Sequence, residues 1–388
     1  MRHDLKAARA ATSSLFFGNG FLIGTWAAQL PRFKAAHGLS DGELSMALLA
    51  FGLGAVLLMP LIGWMTAALG SGRVAAASAF AFAGTLVLPG FAPTLATLVA
   101  ASFLAGACNG TMDVSMNTNA TLVERAWGRA IMSSFHAFFS LGGLLGAAAS
   151  GALIAAGYDI APTLLVSCGG AGLLFLAASF ALMNETERSG QGHGLALPRR
   201  GVLALAGLTL LCFLVEGAMV DWSAIYLQTV AGASLEAAVS GFAAFSLAMT
   251  ACRFMGDFAV RALGRVRTLM AGGLLAALGL ALALIVPQPT VVSAGFALVG
   301  FGLANVVPVL FSTAGETPGI PPSMGVAMVA TLGYAGLLLG PPLIGFGADL
   351  LGLRAMFGLL VLCALSVVLV ARPVLAPSRT FLAPGTTR

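Results

Sequence analysis

The sequence predicts an all-α membrane protein: twelve transmembrane helices in two pseudo-symmetric six-helix bundles. Three observations carry this. Apolar runs long enough to cross a bilayer, about twenty residues each, follow one another twelve times along 388 residues. Hydrophobic residues make up 59% of the chain and charged residues 9%, with mean hydropathy +0.98, more apolar surface than a water-soluble fold can hide. Finally, features of the first half recur in the second at a nearly constant separation. With lipid as the solvent, each charged residue inside a span is a functional candidate.

In chain order the spans are expected at 12–30, 42–66, 73–92, 95–122, 128–156, 160–183, 201–230, 236–260, 266–286, 290–313, 323–350 and 353–372. Helix-breaking residues separate them: Pro31, the run Gly70 to Arg73, Pro89, Pro162, Pro287 with Pro289, and Pro318. Met1 to Arg9 is basic and precedes an apolar run, as in a signal peptide, but eleven further spans argue that the first helix is retained. One stretch breaks the rhythm. Asn184 to Arg200 (NETERSGQGHGLALPRR) is polar, contains glycine and ends in two arginines. It reads as a linker at 184–200 between a bundle at 1–183 and a second bundle with a short tail at 201–388.

The halves echo each other. Trp26 (GTWAA) matches Trp222 (VDWSA), and Asn109 matches Asn305, both at a separation of 196. The pattern Gly63, Ala67, Gly70, Arg73 after the second span matches Asp257, Arg261, Gly264, Arg267 after the eighth, at 194. Several matches at one offset indicate a parallel repeat.

Charge sets orientation. Arg73, Arg125, Arg129, Arg200, Arg261 and Arg267, with the basic residues of both termini, fall on one side; the other carries Arg32, Lys34 and Arg354. The basic side, with both termini and the linker, is expected to be cytoplasmic. The formal charge of +5 is scattered over short loops, and the chain has three Tyr and four Trp, so no aromatic-and-basic face for nucleic acid is present. All five cysteines lie inside expected spans without metal-ligand spacing. They read as small buried apolar residues, and no metal or cofactor is expected.

Two six-helix halves, a central linker and the loop pattern resemble the major facilitator superfamily over essentially the whole chain. The family's loop motif is Gly-x3-Asp-x2-Gly with basic residues following. Gly63, Gly70 and Arg73 fit it, but Ala67 stands where the Asp is expected. More locally, GTWAAQLPRFK (24–34), DVSMNTNATLVE (113–124), SSFHAFFSLG (133–142), VEGAMVDWSAIYL (215–227) and ATLGYAGLLLGPPLIG (330–345) are similar to a bacterial subgroup of permeases that includes the rhizopine transport protein. The resemblance implies a bacterial inner-membrane location and alternating access to a midplane site. It also implies a small polyhydroxylated solute, a cyclitol, aminocyclitol or sugar.

Candidate site residues follow from polarity inside spans. Asn109, Asp113 and Asn117 are spaced by four, which puts them on one helix face; a polar face avoids lipid and suits a central cavity. An interhelical hydrogen-bond network is the plainer explanation. Glu216 sits among Val215, Gly217 and Ala218, where burial disfavours its charge, so it is the expected proton carrier, with Asp113 and His136 as alternatives. Asp221, nearer the outer side, could hold a cation or a hydroxyl beside Trp222. Trp26 and Trp222 could flank a ligand from the two halves, or merely anchor helices at the interface. Asn19, Gln29 and Asn305 could add neutral contacts. Arg73, Arg129, Asp257 and Arg261 are expected to form a cytoplasmic gate, with Glu124, Arg125, Arg253 and Arg267 in the same charged clusters. Gly340, Pro341 and Pro342 suggest a kinked eleventh helix.

The leading expectation is a monomeric secondary transporter with a small-molecule substrate and protons as partners. No G-x-x-x-x-G-K-[ST] is present, which argues against ATP as the energy source. A proton-driven drug or metabolite exporter is the alternative within transport. A membrane enzyme lacks H-E-x-x-H, G-x-S-x-G or a His/Asp cluster to work with, and a 17-residue linker leaves no room for a receptor's signalling domain.

Overall fold

Inside a bilayer no water reaches the backbone, so a spanning chain must satisfy its N–H and C=O groups within helices. The computed structural model describes residues 4–39, 41–185, 200–233 and 235–375, and among these only helices, turns and connecting coil occur. Most of the expected linker at 184–200 lies outside the described residues. The helices are α1 (Leu5–His37), α2 (Asp41–Leu69), α3 (Ser71–Thr85), α4 (Leu95–Trp127), α5 (Met132–Ala155), α6 (Ile160–Ser179), α7 (Arg200–Thr229), α8 (Leu235–Ile285), α9 (Pro289–Leu303), α10 (Val306–Gly315), α11 (Pro322–Leu351) and α12 (Leu353–Leu375). A 3-10 turn at Leu88–Phe91 extends α3.

These helices are not one-to-one with crossings. Straight, the 51 residues of α8 would be about 77 Å long at 1.5 Å per residue, against about 30 Å of hydrocarbon. The chain reverses at Gly264 (φ 76°, ψ 161°), a left-handed φ that costs glycine least. Its two arms pass α9 in opposite senses. On the first arm Phe245 meets Gly300 and Cys252 meets Asn305; on the second Gly272 meets Gly302 and Gly279 meets Gly295. Conversely, the tenth crossing, expected as one helix, is two. α9 ends at Leu303 and α10 begins at Val306. Pro308 has no N–H to give the carbonyl of Ala304 four residues earlier, and Arg253 Nε donates to that carbonyl instead, at 3.3 Å. Among the described residues nine helical stretches are apolar and long enough to cross a membrane, and α2 makes a tenth across a 51° bend between Met59 and Leu61. The double pass of α8 and the more polar α1 complete twelve. The eleventh helix runs through Pro341 and Pro342 without a break in its helical assignment.

Two buried apolar cores organise the bundles. One gathers α1 to α6 around Phe16, Phe82, Phe135 and Phe175; the other gathers α7 to α12 around Tyr226, Phe296, Phe311 and Phe357, joined by Ala55, Met59 and Ile62 of α2 from the first half. Helices approach closely through glycine, as membrane packing favours. A Cβ on Gly142 or Gly146 of α5 would collide with the carbonyls of Phe17 and Phe21 on α1, and one on Gly336 of α11 with the carbonyl of Leu210 on α7. Likewise Gly106 of α4 abuts the Phe51 carbonyl and Gly300 of α9 abuts the Phe245 carbonyl.

These contacts give the repeat its true register. Phe51 with Gly106 and Phe245 with Gly300 are the same contact 194 residues apart. Two positive-φ glycines at the turns keep the same offset, Gly38 with Gly232 and Gly70 with Gly264, whereas the later turn glycines drift from it: Gly128 and Gly319 are 191 apart and Gly157 and Gly352 are 195 apart. The loop pattern 63–73 against 257–267 keeps this offset. Trp26 with Trp222 and Asn109 with Asn305 do not. An offset of 196 is two residues out, about 200° around a helix, so neither pair occupies equivalent positions.

Candidate functional site

At the centre of the molecule a series of polar side chains crosses from one half to the other. α4 contributes Asp113, which is 8% exposed. The phenol of Tyr334 on α11 of the other half stands beside it, with Glu216 of α7 nearby. Glu216 Oε1 lies 3.3 Å from Arg253 Nη2 on α8. Arg253 Nη1 donates at 2.7 Å to Ser140 Oγ on α5, returning to the first half. His136, one turn before Ser140, is packed between the rings of Phe16 and Phe311 at 5.2 and 6.0 Å.

Glu216 is therefore not the isolated acid that its sequence neighbours suggested. Val215, Gly217 and Ala218 are apolar, but the helix packing brings a guanidinium to it, and the pair is buried, with side-chain exposures of 13% and 9%. Arg253, expected in a cytoplasmic cluster, instead sits at mid-membrane, where the break in the tenth crossing supplies a free carbonyl. Glu216 is thus one half of a buried ion pair. Asp113 has no ion pair among the described residues: its Oδ1 accepts from Asn117 Nδ2 at 3.3 Å, and its buried Oδ2, with the Tyr334 phenol nearby, has no hydrogen bond of ordinary geometry.

Unpaired buried polar atoms are uncommon in folded proteins, and four of the eight among the described residues lie along this series. Besides Asp113 Oδ2 they include Asn117 Oδ1, Asn305 Oδ1 and His136 Nε2. Asn117 is one turn from Asp113, Asn305 adjoins the carbonyl that binds Arg253, and His136 is one turn from Ser140. The amide orientations are fixed by their partners. Asn117 Nδ2 donates to the Asp113 carbonyl at 2.9 Å and Asn305 Nδ2 to the Cys252 carbonyl at 3.5 Å, so in each case the oxygen is the orphan. The asparagine and aspartate vacancies are acceptors. They suit a ligand that donates hydrogen bonds.

Other expected site residues are placed elsewhere. Asn109 is tied to α1, where Asn19 Nδ2 donates to its Oδ1 at 3.1 Å. Gln29 Nε2 donates to Ser150 Oγ at 2.6 Å within the first bundle. Trp26 is in the first core, stacked on Phe51 and tilted against Phe33; its ring is committed to packing. Trp222 is half-buried against Gly345 of α11, and its Nε1 has no partner. Asp221 is exposed. A carboxylate facing hydrocarbon is costly, so that part of α7 borders water.

The halves are fastened to each other at the end of the molecule that holds the turns at Gly70, Gly128, Gly264 and Gly319. Asp257 Oδ1 accepts from the Ser134 N–H at 3.1 Å, capping α5 from the opposite bundle, and Arg261 Nη1 donates to the Ala130 carbonyl at 3.1 Å. Glu124 accepts from the N–H groups of Ile131 and Met132 at 2.8 and 2.7 Å and from Ser312 Oγ of α10. Arg125 donates to the Gly315 carbonyl. Arg265 lies 3.9 Å from Glu124 and is held in a two-point pair with Glu316 at 2.5 and 2.8 Å. Two expected gate residues do not take part. The Arg73 N–H is bound by Asn184 Oδ1, and the Arg129 guanidinium lies over Trp127, both within the first bundle. Gly63, equivalent to Asp257, packs directly on Ala327 of α11. The motif's first glycine thus gives close helix contact in one half, where the other half uses a carboxylate.

The family model described as Major Facilitator Superfamily matches residues 12–322. An uncharacterized MFS-type transporter of Yersinia pestis is 39% identical over 366 residues, covering 94% of this chain and 95% of that protein. Membrane protein MosC of Rhizobium meliloti is 36% identical over 369 residues, covering 92% and 89%. Among solved structures, the outward conformation of the MFS transporter FucP superposes with a TM-score of 0.77 at 16% identity, covering 94% of this chain and 98% of that one. The human organic anion transporter MFSD10 superposes at 0.72 with 18% identity, covering 94% and 99%.

Proposed function

The chain belongs to the Major Facilitator Superfamily, and we propose that it is a proton-coupled secondary transporter of a small, polar, hydrogen-bond-donating solute. A polyhydroxylated compound, with or without an amine, is the class that fits. The observation that carries this is the set of buried acceptors without partners, Asp113 Oδ2, Asn117 Oδ1 and Asn305 Oδ1. Leaving such atoms unpaired costs about 1–3 kcal/mol each, which a hydroxyl or ammonium would relieve and an apolar drug would not. The subgroup resemblance to the rhizopine transport protein points to the same chemistry.

In this reading Asp113 carries the proton. It is the central acid without an ion pair, whereas Glu216 is paired with Arg253. Protonating Asp113 makes it a donor to Tyr334 or to the solute, so proton and solute occupancy are coupled at one residue. The bundles at 1–183 and 201–388 rock about this centre, joined by 184–200. The seam of Asp257, Arg261, Glu124 and Arg125 is the closed cytoplasmic gate, and the side of Asp221 and Trp222 is open. The basic turns at the seam support the cytoplasmic assignment. A cysteine at Ser189 should then resist impermeant labelling of intact cells from outside.

The test is a thermal-shift screen of purified protein against cyclitols, aminocyclitols, sugars, simple amines and lipophilic drugs. Ligands that bind only the folded state raise its stability. Stabilisation by polyhydroxylated compounds, followed by their pH-gradient-driven uptake into proteoliposomes, is expected. Stabilisation by lipophilic drugs alone would transfer the assignment to an exporter.

A further inference from the structure

A second site lies away from the transport path. α1, α5 and α6 enclose a groove of about 670 Å³, within the ~300–1,000 Å³ range of small-molecule sites. Its mouth carries Lys6 and Arg9, and its walls are Ala10, Phe17, Phe138, Leu141 and Leu174. Large apolar side chains of α5 and of the C-terminal part of α6 are exposed as well: Leu144, Leu173 and Phe180 are 62%, 72% and 83% exposed. In a membrane that surface is hydrocarbon.

We propose that this groove binds one anionic phospholipid, its phosphate at Lys6 and Arg9 and its acyl chains along Phe17, Phe138 and Leu141. Length supports this. Lys6 to Phe17 is eleven residues of α1, about 16 Å of helix, close to half of a ~30 Å hydrocarbon core; the groove is one leaflet deep. Charge supports it too. Arg9 and Arg129 both lie over the ring of Trp127, at 5.0 and 5.7 Å from its centroid, and Trp127 lines the groove with Lys6 and Arg9, so a third cation stands one ring away from the two at the mouth. The nearby acid, Asp4, caps α1, accepting from the N–H groups of Lys6 and Ala7. Trp127 itself is an amphipathic ring at headgroup depth. Because Arg9 also reaches Ser134 Oγ at 3.3 Å, one residue serves both the groove and the α5 end of the seam.

The experiment is native mass spectrometry of delipidated protein with equimolar phosphatidylglycerol and phosphatidylcholine of matched chains. One phosphatidylglycerol should be retained with a preference of about a hundredfold, the product of three cations. Near a membrane surface each basic residue is worth about fivefold, so Lys6→Gln should reduce the preference about fivefold and Lys6→Gln with Arg129→Gln about twenty-fivefold. Ala10→Phe, which fills the groove and leaves the cations, should remove the tightly bound lipid of either kind. Equal retention of both lipids by the unaltered protein, or a preference untouched by the charge variants, would overturn the assignment. So would undiminished binding to Ala10→Phe that elutes as folded monomer. None of these readouts depends on the transported solute or on protons.

Discussion

Replacing Asp113 by Asn is the sharpest perturbation of the coupling centre. The side chains are nearly isosteric, and the Asn117 amide keeps an oxygen to which it can donate, as it does now at 3.3 Å. Only the exchangeable proton is lost. One central acid lacks an ion pair, so one proton should accompany each solute. A pH gradient of about 1.5 units, acid outside, is worth about 2.0 kcal/mol per proton. With the membrane potential clamped at zero, a neutral solute should therefore accumulate about thirtyfold. The assay is uptake into proteoliposomes, with counterflow exchange measured in parallel. Asp113→Asn should bring accumulation to the no-gradient level while exchange continues. Accumulation near a thousandfold in the unaltered protein would mean two protons and would return Glu216 to the coupling scheme. If Asp113→Asn still accumulates thirtyfold, the proton role is elsewhere, and if exchange also vanishes, Asp113 is a solute contact first.

Glu216→Gln leaves the Arg253 guanidinium buried without its counter-charge, so it should cost about 3–5 kcal/mol; Glu216→Leu with Arg253→Met should recover most of that, read as thermal unfolding in detergent. Asp257→Ala with Arg125→Ala removes two charge-assisted bonds across the seam, each worth roughly 1.5–3 kcal/mol. The maleimide reactivity of a cysteine at Val260, buried in that seam, should then rise at least tenfold, and an unchanged rate would show that the bonds do not hold the halves. Gly106→Val drives a side chain into the Phe51 carbonyl and should destabilise by at least the ~1–3 kcal/mol of ordinary overpacking, while Gly169→Ala, with open space around it, should be neutral.

Hydrophobic runs carry the fold because lipid leaves the backbone no alternative to helix. Span positions follow from local composition: the 201–230 run is Arg200–Thr229, and 323–350 is Pro322–Leu351. Connectivity within a crossing is less visible. The break at Ala304 depends on Pro308 sitting one turn past a position where Arg253 can replace the missing N–H, a tertiary coincidence that hydropathy averages away. Repeat register is similarly hidden. Matching the rare residue types Trp and Asn gave 196, whereas the residues that set helix distance are glycines, too common to align by eye and informative only once their carbonyl partners are known.

Candidate site residues were legible as types and not as partnerships. Every span-embedded carboxylate stands out against 9% charge, so Asp113, Glu216 and Asp257 could be named. Which of them is free to titrate depends on what other helices bring. Glu216 looks solitary along α7, yet α8 places Arg253 against it; Asp113 has Asn117 one turn away, yet its second oxygen has no hydrogen bond. A signal for the missing partners did exist. Arg253 is a basic residue well inside an apolar run, where no arginine is stable alone, and its presence requires a buried acid in reach. Tyr334, one of three tyrosines, lies in a glycine-rich helix that packs across the halves. A charge in lipid is thus best read as half of a pair, and the informative residue is the central acid left over when the pairs are made, which among the described residues is Asp113.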